Sequence, residues 1–175
     1  YPQSPWRGAA YYWAGEATFH QGKTEEAFSY FQKVMDEESG NEFYPYALYS
    51  CGCIHLKRGA YEKGFTFFHQ VYEKSPTHPI AQPSLFWSGY CLYQIDHCEQ
   101  AARELEVQLR TFPKGIWRPE AEYLMGISLF RLKKFNEAVE FFRNFWTRFT
   151  RHPLEESARY AYAWSLVSLG QYEEG

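Results

Sequence analysis

Cys51 and His55 stand four residues apart with Cys53 between them, and Cys91, His97 and Cys98 lie one repeat further along the chain. Thiols and imidazoles in such proximity could hold zinc, form a disulfide or make a cysteine–histidine nucleophile. Zinc wants four converging ligands, usually including a short Cys-x2-Cys pair. The one close pair here is Cys51-x-Cys53, whose side chains diverge on a helix. A Cys91–Cys98 or Cys51–Cys91 disulfide is geometrically open, but a fold with its own continuous core does not need one. A nucleophile pair also needs an orienting third group and an oxyanion site. Glu16, Glu120, Glu122, Glu155 and Glu156 could supply carboxylates, but they scatter along helix ends and faces and are expected to be solvated. Gly22 and Gly59 read as turn glycines between helices, not as a phosphate loop after a strand, and there is no His-Glu-x-x-His. The aromatic and basic stretch Phe141, Phe142, Phe145, Trp146 and Phe149 with Arg143, Arg148 and Arg151 could touch lipid headgroups, though a packing face is the simpler account. The sequence therefore reads as non-enzymatic, with no catalytic residue, cofactor or metal.

The elements that would position these residues repeat. Gly15, Gly52, Gly89 and Gly126 are 37 residues apart, and Ala163 continues the column. A fixed period in this range marks a solenoid of supersecondary units. Helical periodicity predicts first helices over 5–21, 42–58, 80–95, 118–132 and 154–169. Second helices are predicted over 25–37, 61–74, 97–111 and 135–149, with Thr24 as an N-cap and Asp96 with Glu99 as a capping box. Ser39-Gly40-Asn41, Ser75-Pro76, Phe112-Pro113 and His152-Pro153 separate the pairs. Mid-helix glycine costs about 1 kcal/mol relative to alanine, so the glycine column implies a close neighbour. Ala10, Ala47, Ser84, Ala121 and Ala158 form a second small column, and Ala27, Gly64, Ala101 and Ala138 a third. Phe31, Phe68, Leu105 and Phe142 form a large one, one turn beyond the third. His55 falls in a register filled elsewhere by Leu92, Leu129 and Leu166, which predicts a packed histidine.

The whole chain, 1–175, is read as one all-α domain of units at about 8–44, 45–81, 82–118, 119–155 and a shortened 156–175. Its 175 residues carry a net charge of -3, with Lys and Arg scattered, which argues against nucleic acid. Hydrophobic residues make up 45%, enough to exclude disorder, while no apolar run is long enough to span a membrane. Aromatic residues make up 21%, more than a core needs for volume alone. The opening Tyr1-Pro2-Gln3 and the closing Gly170-Gln171-Tyr172-Glu173-Glu174-Gly175, which starts a new helix, suggest an excerpt of a longer repeat protein.

These columns resemble the tetratricopeptide repeat. The residues that carry the likeness are Gly15, Ala27 and Phe31; Gly52, Phe68 and Pro76; Gly89, Ala101 and Pro113; and Gly126, Ala138 and Phe142. The early Trp of that repeat is Tyr11, Leu48, Leu85, Glu122 or Arg159 here, Gly64 stands in place of Ala, and the period is 37 against the usual 34. The longer period resembles the subgroup found in bacterial envelope proteins similar to BamD and CpoB. The resemblance implies a right-handed superhelical solenoid of antiparallel helix pairs, about four and a half repeats long. It further implies a protein or peptide partner and a place in the bacterial periplasm or envelope, with the cytoplasm as the alternative. More repeats or domains of the same protein would lie outside this sequence.

A second set of columns lies about 100° around the first helices from the glycines. Tyr12, Tyr49, Phe86, Tyr123 and Tyr160 share one register; Glu16, Cys53, Tyr90, Ile127 and Trp164 the next; Phe19, Leu56, Tyr93, Phe130 and Val167 the third. The resemblance places such registers on a concave groove, edged here by His20, Lys57, Gln94 and Arg131. Tyrosine offers a rigid apolar ring and a hydroxyl, which suits capture of a peptide or an amphipathic helix. Other outcomes stay open: rings that pack on one another, rings buried by a part of the protein outside this sequence such as further repeats, a structural or self-associating spacer, or rings that stack on a glycan.

Overall fold

The structure, a computed structural model, describes residues 6–36 and 41–170. The chain divides into two compact units, Tyr1–Ser84 and Leu85–Gly175. Among the described residues every regular element is an α-helix. Unit 1 holds α1 (Arg7–His20), α2 (Thr24–Asp36), α3 (Tyr44–Lys57), α4 (Tyr61–Lys74) and the first turn of α5 (Ala81–Gln94). Unit 2 holds the rest of α5, then α6 (Cys98–Thr111), α7 (Arg118–Arg131), α8 (Phe135–Arg148) and α9 (Glu155–Ser168). Within unit 1, α1 packs on α2, α2 on α3 and α3 on α4; within unit 2, α6 packs on α7, α7 on α8 and α8 on α9. The architecture is a stack of antiparallel helix pairs, and the expected helix bounds hold to within two residues.

The glycine column has the partner its spacing implies. A Cβ on Gly15 would lie 2.6 Å from the Phe31 ring; on Gly52, 2.6 Å from Phe68; on Gly126, 2.6 Å from Phe142; on Gly89, 2.9 Å from Leu105. Each large residue is fully buried, so each pair is a ring or branched side chain seated on bare helix backbone. The small residues Ala27, Ala101 and Ala138, and Ala47, Ser84, Ala121 and Ala158, are also fully buried; Ala10 alone is exposed.

Helix starts follow a different chemistry from the expected one. Thr24 is the first residue inside α2, and its hydroxyl accepts from Arg58 Nη2 at 2.7 Å. Asp96 is not a cap: it adopts φ 62° in the turn, and His97 precedes α6. Gly22, Gly59 and Gly170 take the same left-handed conformation, as does Lys133. All five are one period apart, so the turn geometry is imposed by the repeat, and two side-chain-bearing residues accept a conformation that favours glycine. The N-caps of α1, α3, α7 and α9 are Trp6, Phe43, Trp117 and Leu154, apolar residues with no side-chain hydrogen bond to the helix. Polar support comes from two residues earlier. Asn41 Oδ1, His78 Nδ1 and His152 Nδ1 accept the N–H of Phe43, Ile80 and Leu154. The expected break at Ser39-Gly40 and the start of a new helix after Gly170 lie outside the described residues.

Candidate functional site: the aromatic face of the first helices

The side chains that could do chemistry are placed to pack. Cys51, Cys91 and Cys98 are buried, Cys53 is half-buried, and no disulfide joins the four. Burial pushes the Cys51 thiol up to about 12 and the Cys53 thiol up to about 11, which holds both as unreactive thiols. His55 stacks on Phe67 at 5.3 Å and 10° and takes the edge of Phe28 at 5.5 Å. Burial first, then Lys63 and Arg58, lower its pKa. Among the described residues no group of three or more His, Cys, Asp or Glu side chains could hold a metal ion. Among the described residues no helix is long and apolar enough to cross a membrane. In the aromatic stretch of α8, Phe142 and Phe145 are fully buried, so that helix presents a packing face to the core.

Glu122 departs from the solvated surface expected for it. Only 2% of it is exposed, and it bridges Arg118 Nε at 2.7 Å and Arg148 Nη1 at 3.0 Å. Leu48 and Leu85 fill the same register in other repeats. A carboxylate at that depth is tolerated because two guanidiniums reach it from a half-exposed rim.

In unit 1 the aromatic members of the expected ladder each meet a ring from outside it. Tyr12 is half-buried and stacks on Phe43 at 5.1 Å and 26°. Burial, then Glu16, pushes its hydroxyl up to about 12. Glu16 accepts from Ser50 Oγ at 2.8 Å, which ties α1 to α3. Tyr49 packs edge-on to Phe68 at 5.4 Å. Lys57 is exposed, its ammonium 5.6 Å above the Phe19 ring.

In unit 2 the ladder divides. Phe86 is 7% exposed, which corrects its expected display. Trp117 stacks over it at 5.1 Å and 27°, and Trp87 meets it edge-on at 5.1 Å. Tyr90 is half-buried beside Trp87 at 5.5 Å. Tyr93 lies under the Arg131 guanidinium, 3.9 Å from the ring centroid, and Arg131 also donates to the Tyr93 carbonyl at 3.2 Å. Burial raises the Tyr93 hydroxyl, and Arg131 partly offsets this. Beyond that point the rings open outward. Tyr123 is half-buried, with its hydroxyl raised by burial and hydrogen-bonded to Ser157. Phe130 sits against Phe135 at 5.3 Å. Tyr160 is 68% exposed and Trp164 50%, with their rings 6.2 Å apart. Tyr123, Ile127 and Phe130 of α7 with Tyr160, Ala161 and Trp164 of α9 line a cleft of about 830 Å³. Glu156, Ser157 and Ser168 complete the lining, so Glu156 is its one formal charge among the described residues.

The covering residues escaped the sequence reading. Trp6, Phe43, Ile80, Trp117 and Leu154 are 37 apart and all apolar. That column was available as a signal, but a position just outside a helix is normally read for a polar cap. Phe43 on Tyr12 and Trp117 on Phe86 are the same contact, at 5.1 Å in both units.

The helix pairs, the seated glycines and the period together define a tetratricopeptide-like repeat fold. Comparison with known proteins agrees. A family model for the tetratricopeptide repeat matches residues 9–39 and 120–151. Among solved structures, residues 41 to the end of MamA from Desulfovibrio magneticus RS-1 superpose with a TM-score of 0.78 at 20% identity, covering 96% of this chain and 88% of that one. A crystal structure of MamA protein gives a TM-score of 0.82 at 15% identity, covering 98% and 87%. MamA AMB-1 gives 0.74 at 20% identity, covering 98% and 87%. At these identities the likeness is one of fold. No curated protein matches the sequence.

Proposed function

We propose that this protein is a non-enzymatic scaffold that holds a peptide or helical segment of a partner protein against the aromatic face of its first helices. The observation that supports this is the cleft between α7 and α9, lined by the aliphatic Ile127 and by the rings of Tyr123, Phe130, Tyr160 and Trp164. A cleft of several hundred Å³ with apolar walls and few polar groups suits apolar anchor side chains. In unit 1 Tyr12 and Tyr49 are already engaged by the rings of Phe43 and Phe68, so the reading centres the site on α7 and α9. The resemblance of the 37-residue period to the subgroup of BamD and CpoB supports a place in the bacterial periplasm or envelope, which cell fractionation against the cytoplasm tests.

The binding test is phage-displayed peptide selection on the full chain, repeated with Ile127→Ser combined with Trp164→Ser. Enriched peptides are expected to carry apolar residues one helical turn apart. Their affinity should fall about tenfold or more in the double variant, with far-UV circular dichroism unchanged. Enrichment that survives the double variant overturns the site. Binding of cell-wall glycan fragments in place of peptides favours the sugar-stacking reading, and concentration-dependent mass without any ligand favours the self-associating spacer.

A further inference from the structure

Repeats two periods apart can be compared position by position, and one comparison exposes a difference in filling. In unit 1, Phe28 of α2, His55 of α3 and Phe67 of α4 form a closed triad. Phe28 meets the other two rings edge-on at 5.5 and 6.0 Å. Seventy-four residues later the same three positions are Ala102, Leu129 and Phe141. The ring that closes the triad is missing there, because alanine stands where phenylalanine stood. What remains is a cleft of about 540 Å³ between α6 and α8, with Ala102, Met125, Leu129, Leu132 and Phe141 as its apolar floor and walls. Met125 stands where unit 1 has Cys51, and its larger side chain still leaves the cleft open.

The rim is charged. Arg103 faces Glu99 at 3.8 Å, and Lys134 faces Glu137 at 3.8 Å. Glu106 is the further rim carboxylate, so the lining carries one more acid than base. This cleft is formed by the second helices α6 and α8, by Met125 and Leu129 of α7 and by the turn after α7, and it shares no lining residue with the α7–α9 cleft.

We propose that the α6–α8 cleft is a second binding site, which takes an aromatic side chain from a protein segment with lysine or arginine beside that ring. The inserted ring takes the place that Phe28 fills in unit 1. It gains apolar contact from Leu129 and Phe141, as Phe28 gains it from His55 and Phe67. The flanking cation meets Glu106, whose exposed carboxylate steers and orients the segment more than it adds affinity.

The probes are three capped tripeptides, Lys-Phe-Lys, Lys-Ala-Lys and Glu-Phe-Glu, titrated into the full chain while methyl resonances are followed by NMR. Lys-Phe-Lys is expected to move the methyls of Ala102, Met125, Leu129 and Leu132 saturably and to leave Ile127 of the other cleft in place. Lys-Ala-Lys should bind about tenfold to a hundredfold more weakly, the loss for an unburied ring. Ala102→Phe supplies the unit 1 ring from the chain itself and should abolish the shifts. Glu106→Lys leaves the floor intact and should reverse the preference between Lys-Phe-Lys and Glu-Phe-Glu. The proposal is overturned if Lys-Phe-Lys moves no methyl of the cleft, if Ala102→Phe binds as before, or if the two charged peptides bind alike. Shifts at Ile127 alone would assign the ring to the α7–α9 cleft and likewise overturn it. Peptide selection on Ile127→Ser/Trp164→Ser tests that other site separately, so either can fail without the other.

Discussion

Gln108 allows a stability test with a magnitude that follows from its surroundings. It lies on α6, is 1% exposed, and has no protein hydrogen-bond partner for either Nε2 or Oε1. The same register holds Val34, Val71 and Phe145, each fully buried. A buried donor or acceptor left unmade costs about 1–3 kcal/mol. Two such atoms set a penalty of about 2 kcal/mol at the low end of that range. Gln108→Met removes both polar atoms while keeping an unbranched chain of the same length, so it creates little cavity and little strain. Side-chain entropy lost on burial is similar for the two residues. The variant is therefore expected to be more stable by about 2 kcal/mol, which raises a urea midpoint by about 1 M at a slope of about 2 kcal/mol/M. The assay is urea unfolding followed by far-UV circular dichroism, with amide exchange on α6 and α7 to localise the gain. An unchanged or lowered midpoint at constant slope would refute the reasoning, since it would show that the amide is already satisfied.

Two further perturbations bear on the packing. Gly126→Ala gains about 1 kcal/mol of helix propensity but drives a Cβ to 2.6 Å from the buried Phe142 ring. Overpacking of about 1–3 kcal/mol should outweigh that gain, and thermal melts should show Tm lowered by a few degrees; a raised Tm would mean the ring can retreat. His55 has its pKa lowered below the ordinary 6.5, so the fold favours its neutral form. Its contribution is present above 6.5 and is lost as pH falls from there through the folded value. Urea midpoints compared above and below that pH should therefore drop on the acid side, and His55→Leu, which restores the residue of the sister registers, should shrink the drop.

Much of this fold was legible because one number, the period, appears in many columns at once. Gly15 with Phe31 and Gly126 with Phe142 could be paired from spacing, since mid-helix glycine demands a cause and the large column supplied it. His55 could be assigned to packing because leucine fills its register. What spacing could not show was side-chain cover that varies between repeats. Phe86 and Tyr123 share a register, yet Trp117 lies over the first and aliphatic Leu154 occupies the matching place for the second. Glu122 read as surface because its residue type is usually solvated; its burial depends on Arg118 and Arg148 arriving from α7 and α8. Asp96 carried a capping signature by type, but the turn it occupies requires a left-handed residue wherever it recurs.

The apolar residue at each first-helix N-cap also bears on how such a chain can be cut and spliced. Phe43 belongs by helix to α3, but its ring completes the surface of α1 through Tyr12; Trp117 stands in the same relation to α7 and Phe86. A splice made ahead of that residue would hand its ring to the wrong neighbour. The transferable module is a helix pair together with the first residue of its successor. Shuffled arrays drawn on those borders should keep Tyr12 under Phe43 and Phe86 under Trp117, while arrays drawn one residue earlier would separate both pairs.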